Sequence, residues 1–494
     1  MQSRRMFLKQ AGFTTASLLM AERIMADPYH PLTTLLPMAN HVRIRGVVRS
    51  RGSGVPSVAV SDGRSVVATA ADGSYTLHST DHQEFVHVSL PSGTSIPQNP
   101  TGTARFYHPV KVTSDGSMEA SWNLSPLESK DDRHGFLVLA DPQTLDMDDI
   151  RRFHAETVPD IRQVAASAGM PLFSVGCGDL MFDRLNLFPE YEKAVAMTGI
   201  PTFQVIGNHD VVNGALTDGA SSRTFRELFG PTAYSFNRGE VHYVVLDDVL
   251  WLGRGYFGYI DDSQLEWLEQ DLKMVEKGRT VVVFLHIPVY DKQHERLGEK
   301  KPENASVVVN RQALYKTLEG YEAHCIVGHM HESEHLRDGG ARHHVAGAVC
   351  GAWWTADVCG DGTPNGYAFY EVNGGSLQWR YRSTGKEWDH QLRTFARGAD
   401  PQHPDEIVAN VWDADEAWEV VWFEDGIRTG VMQRRLGFDP LTVKLFEGKT
   451  LPKKHTWVEP FPTDHLFFAK PFSSAKEVVV EARDRFGRTY RSKV

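Results

Sequence analysis

Cysteine is scarce in this chain, which excludes a scaffold built on disulfides. The 494 residues contain four cysteines, Cys177, Cys325, Cys350 and Cys359. Cys177 and Cys325 fall in apolar runs typical of buried strands, and none of the four shows the Cys-x-x-Cys spacing of a zinc site. Cys350 and Cys359 flank a loop, and the sequence leaves open whether they form a disulfide.

Long apolar runs and an excess of positive charge are also lacking. Beyond residue 26, no stretch approaches the ~20 apolar residues that a transmembrane helix needs. The net charge is −11, so the chain offers no general electrostatic attraction to nucleic acid. An anionic ligand would therefore need a local positive centre.

Residues 1–26 have the layout of an export signal. The pair Arg4-Arg5 is followed by Phe7-Leu8-Lys9 and by an apolar stretch, residues 11–21, that is too short to span a bilayer. The paired arginines resemble a twin-arginine signal, which implies contact with that export machinery and a periplasmic or secreted location. The alternative is a basic leader without an export function.

Five short polar segments each follow an apolar, β-branched run. Such runs suit strands buried on both faces, and open α/β sheets place their sites at the carboxyl ends of such strands. Asp, Asn and His at these ends are the ligand types of a metal site. The segments are Asp141-Pro142-Gln143, Gly178-Asp179, Gly207-Asn208-His209-Asp210, His286 and Gly328-His329-Met330-His331.

The order of these segments resembles the calcineurin-like metallophosphoesterase superfamily, over about residues 134–380. The Gly-Asn-His-Asp and Gly-His-x-His elements are specific to it, whereas Gly-Asp alone carries no information. The resemblance implies an α/β (α+β) fold, a four-layer αββα sandwich. It also implies two divalent or trivalent metal ions (Mn, Fe, Zn, Mg or Ca) that activate water to hydrolyse a phosphate ester.

The resemblance also assigns a role to each residue of the motifs. Asp179 would bridge the two metals. His209 would be the catalytic residue, which protonates the leaving oxygen or holds the phosphate. The remaining ligands would be Asp141, Gln143 and His331 at the first metal, and Asn208, His286 and His329 at the second.

Gln143 departs from the commonest family pattern, which has histidine there. A glutamine offers a carbonyl oxygen, a weaker donor than imidazole. Gln143 is therefore either a direct ligand or a neighbour of the ligands. As a ligand, it would make the first site weaker or selective for a harder metal.

The flanking regions predict two further domains, both rich in β-structure. Residues 40–125 alternate in short apolar runs with Asp-Gly turns and resemble a transthyretin-like or carboxypeptidase-regulatory-like β-sandwich. Residues 134–380 would form the catalytic domain, with helices predicted at Asp149–Ser167 and Asp262–Glu276. Residues 381–494 predict a C-terminal β domain, with strands at Trp418–Trp422, Leu441–Leu445 and Glu477–Ala482.

Two further sets of residues have open interpretations. Asp183 either hydrogen-bonds His209 or a metal ligand, or is merely solvated. The Gly-rich segment 351–366 contains Trp353, Trp354 and Asp361. These residues either wall a substrate pocket, since tryptophan suits a sugar or base face, or bury against the C-terminal domain.

Three functional hypotheses result. The first is an exported phosphoesterase that acts on mono- or diesters. The second is a phosphoprotein phosphatase, against which the export signal argues. The third is a non-catalytic envelope or glycan-binding protein whose metal site has degenerated through Gln143. Oligomeric state and metal identity stay open.

Changing Arg4 and Arg5 together to lysine should leave the precursor in the cytoplasm, because paired guanidinium groups are the feature the translocase recognises. Cell fractionation and immunoblotting measure the exported share. Arg23→Lys, outside the pair, is the control and should export normally. An unchanged periplasmic yield of the double variant would contradict the twin-arginine interpretation.

Overall fold

The N-terminal domain consists of two small sheets around one apolar core. The computed structural model describes residues 40–494, so the predicted export signal lies outside the described residues. One sheet has the order β2-β1-β5, with β8 and β9 parallel to β1, and the other has the order β4-β3-β6-β7. The strands are β1 (His41–Ser50), β2 (Ser53–Gly54), β3 (Ala59–Ser61), β4 (Val66–Ala68), β5 (Ser74–Thr80), β6 (Phe85–Val88), β7 (Tyr107–Pro109), β8 (Ser117–Glu119) and β9 (Trp122–Leu124).

Two mixed sheets form the centre of the next domain. The first has the order β12-β11-β10-β21-β22 and the second β13-β14-β17-β18-β20-β19, with β15 and β16 as a separate hairpin. Their bounds are β10 (Arg133–Leu139), β11 (Leu172–Cys177), β12 (Thr202–Val205), β13 (Tyr234–Arg238), β14 (Val241–Val245), β15 (Val249–Trp251), β16 (Tyr256–Gly258), β17 (Thr280–Phe284), β18 (Glu322–Val327), β19 (Glu334–Asp338), β20 (Ala341–Val345), β21 (Gly366–Asn373) and β22 (Ser376–Ser383).

Helices cover the outer face of each sheet and complete four layers. A π-helical turn, Phe153–Thr157, joins the first two helices, and a 3₁₀ turn, Leu185–Leu187, precedes the third, so the predicted helix Asp149–Ser167 is divided. The helices are α1 (Met147–Arg152), α2 (Val158–Ser167), α3 (Phe188–Thr198), α4 (Asp218–Ser221), α5 (Arg223–Phe229), α6 (Asp262–Leu272), α7 (Gln293–Arg296) and α8 (Arg311–Thr317).

Strand alternation explains the layering. In β10, Phe136 and Val138 face the second sheet, where Phe136 meets Phe284 edge-on at 5.7 Å between ring centroids. Leu137 and Leu139 point the other way, into the cluster formed with α1, α2 and α3. Because both faces of the strand are buried, its sequence is apolar throughout. The αββα sandwich predicted from the sequence is confirmed.

The C-terminal domain packs two four-stranded sheets, with the orders β23-β24-β28-β27 and β26-β25-β29-β30. Its elements are β23 (Arg393–Phe395), β24 (Ile407–Asn410), β25 (Glu419–Glu424), β26 (Ile427–Val431), β27 (Gln433–Phe438), α9 (Pro440–Phe446), β28 (Pro462–Ala469), β29 (Val478–Arg483) and β30 (Thr489–Lys493). In the part of the chain that the structure describes, no helix is both long and apolar enough to cross a membrane.

The strand predicted at Leu441–Leu445 is wrong, because this segment lies in helix α9. Asp439 caps the helix: its Oδ1 accepts the backbone N–H groups of Leu441 (2.8 Å) and Thr442 (3.1 Å). Pro440 then occupies the first helical turn, where its missing N–H costs nothing. The capping residues outweigh the β propensity of Thr442 and Val443.

Candidate metal centre

Five core strands bring the predicted residues to one end of the two sheets. Asp141 follows β10, Asp179 follows β11, and Asn208 follows β12 in the first sheet. His286 follows β17, and the segment 328–331 follows β18 in the second. Residues that lie far apart in the sequence therefore meet where the two sheets adjoin.

The turns after these strands are tightly constrained. In residues 40–494, eleven non-glycine residues have a positive φ, and eight of them lie at the site or in the adjacent loop 351–366. A left-handed backbone is costly for such residues and clusters at functional sites. The eight are Asp141, Gln143, Asp179, Asp183, His329, His331, Trp353 and Trp354.

Glycine is required where the turns approach each other. A Cβ atom on Gly207 would lie 1.9 Å from the backbone nitrogen of Asp179, and one on Gly178 would lie 2.2 Å from Nδ1 of His286. Gly178 also has a φ of +77°. The glycines of the motifs thus allow the carboxylate and imidazole groups to meet.

At the predicted second site, nitrogen and oxygen atoms that carry lone pairs face one another with no hydrogen-bond donor between them. His286 donates from Nδ1 to the carbonyl oxygen of Cys177 (3.1 Å), and His329 donates from Nε2 to that of Ala305 (3.1 Å). This leaves the lone pairs of His286 Nε2 and His329 Nδ1 facing each other at 3.2 Å. His286 Nε2 is also 3.1 Å from Asn208 Oδ1 and 3.2 Å from Asp179 Oδ1.

Such a cluster needs a cation or an added proton. Ligand bonds of about 2.1 Å to a zinc-like ion place neighbouring ligand atoms about 3–3.5 Å apart. Donor atoms of Asp179, His286 and His329 all lie within 4.8 Å of one another. The chemistry of this donor set therefore fits a metal ion.

The predicted first site shows the same features. His331 donates from Nδ1 to the carbonyl oxygen of Gly351 (2.8 Å), so its Nε2 is free at 3.6 Å from Asp141 Oδ1. Gln143 donates from Nε2 to Asp179 Oδ2 (3.1 Å), while its Oε1 is buried without a hydrogen-bond partner. An unpaired buried carbonyl oxygen is costly unless it binds a ligand. This favours Gln143 as a direct metal ligand, although the assignment stays a prediction.

The pKa values of the clustered groups show how strongly these groups interact. Burial alone raises the pKa of Asp179, but the nearby His286 and His209 outweigh burial and lower it. Burial alone lowers the pKa of His286, but Asp179 and Asp141 outweigh burial and raise it to about 10. A bound cation would take the place of that proton on His286.

His209 stands apart from this cluster as a hydrogen-bonded acid–base group. Its Nδ1 is 2.9 Å from Asp183 Oδ1, and its Nε2 is 4.0 Å from Asp179 Oδ2. Burial alone lowers the pKa of His209, but Asp179 and Asp183 outweigh burial and raise it. Of the two interpretations of Asp183, the structure supports the contact with His209.

The carboxylate of Asp210 fixes the loop that carries these residues. It is fully buried and accepts the backbone N–H groups of Leu180 (3.1 Å), Met181 (2.9 Å) and Gly207 (2.9 Å). These contacts tie the turn after β11 to the turn after β12. Asp210 thus orients the loop rather than serving as a ligand.

The three predicted residues of the loop 351–366 are buried. Asp361 is 0% exposed and accepts bonds from Ser333, Thr363 and the C-terminal His465. Trp354 donates from Nε1 to the carbonyl oxygen of Pro142, and Trp353 stacks on His331. Trp353 and Asp361 thus contact the C-terminal domain, through Trp457 and His465. Trp354 packs within the catalytic domain, beside Phe153. The role of the three residues as substrate contacts stays a prediction. Cys350 and Cys359 are both free and buried.

Sequence reasoning missed Asp248, which supports His286 from behind. Asp248 is 0% exposed, and its carboxylate accepts the backbone N–H groups of His286 (3.3 Å) and Ile287 (3.0 Å). Burial raises its pKa to about 7. The signal was present, since Asp247-Asp248 follows the apolar strand β14 just as the ligands follow theirs.

Asp179→Asn should lose at least one metal and nearly all turnover, because a neutral amide bridges two cations poorly. Metal content of the purified protein and the rate on a nitrophenyl phosphate ester measure both effects. Asp183→Asn, in the same loop, is the control for metal content and should keep its metal. A variant with unchanged metal content and rate would show that the site is assigned wrongly.

Gln143→His should tighten metal binding at the first site and shift its preference toward zinc or iron, because imidazole is a stronger and softer donor. Gln143→Ala should weaken that site alone. Calorimetric titration with manganese and zinc measures both. Identical titrations for the wild type and the two variants would place Gln143 outside the ligand set.

Family models match almost the whole described chain in three consecutive pieces. Residues 42–127 match the N terminal of Calcineurin-like phosphoesterase, residues 135–333 match Calcineurin-like phosphoesterase, and residues 343–490 match the C terminal of Calcineurin-like phosphoesterase. The last range includes strands β21 and β22, which the structure assigns to the catalytic sheet. No curated protein matches the chain.

Solved structures resemble the chain only weakly. Purple acid phosphatase PPD1 from yellow lupin is 12% identical over 70% of this chain and 67% of its own, with a TM-score of 0.37. GAP50 of Plasmodium is 13% identical over 52% and 86%, with a TM-score of 0.36. The 5'-nucleotidase precursor of Thermus thermophilus is 12% identical over 51% and 54%, with a TM-score of 0.30.

TM-scores this low say nothing about function. The family of the chain follows from the family models and from the residues of the site. The three models follow one another along the chain, and the motifs of the catalytic model converge on one cluster of donors. The chain belongs to the calcineurin-like phosphoesterases, metal-dependent hydrolases of phosphoric esters.

Proposed function

We propose that the protein is an exported hydrolase of phosphate mono- or diesters that works with two metal ions. The observation that carries the proposal is the convergence of seven side chains. Their oxygen and nitrogen lone pairs face one another, and a cation or added protons must lie between them. His286 Nε2, Asn208 Oδ1 and Asp179 Oδ1 illustrate it, with separations of 3.1 and 3.2 Å. The proposed periplasmic or secreted location depends on Arg4 and Arg5.

Two clusters of donors share one carboxylate, which supports a binuclear centre. Asp179 Oδ2 accepts from Gln143 of the predicted first site, and Asp179 Oδ1 lies 3.2 Å from His286 of the second. Within the first set, His331 faces Asp141; within the second, His286 faces Asn208 and His329. When bound, two metal ions would neutralise the phosphoryl oxygens and lower the pKa of water to about 7.

His209 is the residue that we assign to proton transfer. Its side chain is 22% exposed, whereas that of Asp179 is 3% exposed, so the imidazole of His209 is accessible to a substrate. The hydrogen bond between Nδ1 and Asp183 leaves Nε2 directed toward Asp179. From this position, a protonated Nε2 donates to a leaving oxygen or holds a phosphoryl oxygen.

The other two hypotheses have less support. A degenerate, merely structural site would not retain six of the seven usual donor types and a buried, unpaired Gln143 oxygen. A phosphoprotein phosphatase would act on cytoplasmic substrates, which the proposed export signal contradicts. Neither alternative has an observation in its favour.

The proposal is tested with nitrophenyl phosphate monoesters and diesters in the presence of manganese, zinc, iron or magnesium. We expect metal-dependent release of nitrophenol and no release after chelation. The comparison of both ester types over the same metals would define the substrate preference. Absence of hydrolysis by metal-loaded enzyme with every ester would overturn the proposal.

His209→Ala should retain its metal and lose turnover by roughly 10²–10⁴-fold, the typical contribution of a general acid. The loss should be smallest for a nitrophenolate and largest for an alkyl alcohol, because only the alcohol needs a proton to leave. Rates on both esters and metal analysis are the measurements. His82→Ala, an exposed histidine of the N-terminal domain, is the matched control.

Equal losses on both esters would assign His209 to holding the phosphate. Loss of metal would instead identify His209 as a metal ligand and contradict its assignment to proton transfer.

A further inference from the structure

One loop of the C-terminal domain leaves its own sheets and packs against the catalytic domain. We name residues 454–461, between α9 and β28, the bridging segment. Lys454 forms ion pairs with Asp146 (3.1 Å) and Asp149 at its start. Near its end, the backbone N–H of Phe461 donates to the carbonyl oxygen of Gly360 (2.8 Å). The segment is thus attached to the catalytic domain at both ends.

The first contact of the bridging segment leads to His209. The ring of His455 lies against Phe182, with centroids 6.0 Å apart, and Phe182 meets His209 edge-on at 4.7 Å and 88°. Phe182 and His455 are 8% and 7% exposed. Since the hydrogen bond to Asp183 fixes only one edge of the imidazole, the contact with Phe182 restricts its remaining rotation.

The second contact leads to a metal-ligating position. Trp457 meets Trp353 at 4.7 Å and 65°, and Trp353 stacks on His331 at 4.1 Å and 17°. The backbone of Trp353 is left-handed, with a φ of 51°. The Trp353 ring, supported edge-on by Trp457, covers one face of the His331 imidazole, and a hydrogen bond to Gly351 holds its edge.

Both contacts start from the bridging segment and lie in one apolar cluster. Phe182 and Trp353 belong to one buried cluster, which Trp457 and Val458 of the bridging segment help to form. Trp353 contacts His331 directly, and Phe182 contacts His209 directly. Displacement of the segment would therefore loosen both histidines at once.

We propose that the bridging segment is a positioning element of the active site, in which Trp457 acts through Trp353 on His331 and His455 acts through Phe182 on His209. The metal-binding half of this inference does not require turnover. The half that concerns His209 depends on the proposed hydrolase function.

The test for Trp457 is metal affinity. Trp457→Ala should weaken manganese binding at one site about 10–100-fold, the usual effect of removing a group that orients a ligand, while Trp457→Phe should remain near the wild type. Equilibrium dialysis with metal analysis measures the affinity. Trp418→Ala is the matched control, since this partly buried tryptophan stacks on Tyr490 within the C-terminal domain (6.0 Å).

Thermal unfolding of the metal-free proteins separates positioning from general destabilisation. We expect Trp457→Ala and Trp418→Ala to lower the melting temperature to a similar extent, with only the former losing affinity. Wild-type affinity in Trp457→Ala, or an equal loss in Trp418→Ala, would overturn the proposal. If Trp457→Ala does not fold, the affinity of Trp457→Leu decides in the same way.

The test for His455 compares His455→Ala with His455→Phe, which keeps a ring against Phe182. We expect the alanine variant to lower kcat without changing KM, and the phenylalanine variant to restore it. The imidazole NMR signals of His209 should broaden or shift in the alanine variant alone. His403→Ala, whose ring meets Phe468 in the C-terminal domain, is the control.

A rise in KM with kcat unchanged would overturn the positioning role of His455. An unaltered His209 signal in His455→Ala would do the same. If the wild type hydrolyses no ester, the proposed function fails and the kcat test of His455 fails with it. The dialysis result still decides whether Trp457 positions His331, and the NMR result still decides whether His455 holds the ring of His209.

Discussion

The buried carboxylate of Asp179 is the constraint on which the site depends. An isolated buried charge is unfavourable by several kcal/mol, so it must be surrounded by donors or cations. Asp179 accepts the backbone N–H of His209 (2.8 Å) and the side chain of Gln143 (3.1 Å), and it faces His286 at 3.2 Å. These neighbours follow three different strands. The contacts of this one carboxylate therefore hold the ends of the three strands together.

The left-handed turns follow from that requirement. A strand that continued straight would carry its next side chain away from the neighbouring strand, whereas a positive φ turns the chain back toward it. His329 and His331, with φ of 71° and 51°, illustrate this: their rings reach different partners, His286 and Asp141, although Met330 alone separates them. Strain at these positions persists because the core strands beneath are fully buried.

The sequence indicated most of the site because its signals were local. Apolar runs marked the strands, and the residue after each run marked its polar end, so Asp141 and His286 could be predicted without a structure. Residues whose partners lie far away in the sequence could not be predicted in this way. Asp361 lies in a Gly-rich loop typical of a binding surface, yet it pairs with His465 of the C-terminal domain. The capped helix at Pro440–Phe446 shows how one aspartate outweighs a β-prone run.

The two accessory domains relate differently to the chemistry. The N-terminal domain contacts the helices, where Trp267 of α6 donates to Ser61 (3.0 Å) and Arg226 of α5 pairs with Glu84 (2.9 Å), and it also packs against the edges of the two sheets. Neither of these two contacts involves a metal-site side chain. The C-terminal domain instead places Trp457 edge-on against Trp353, which stacks on His331. Substitutions in the first domain should therefore act through stability, whereas those in the bridging segment should change the geometry of the site itself.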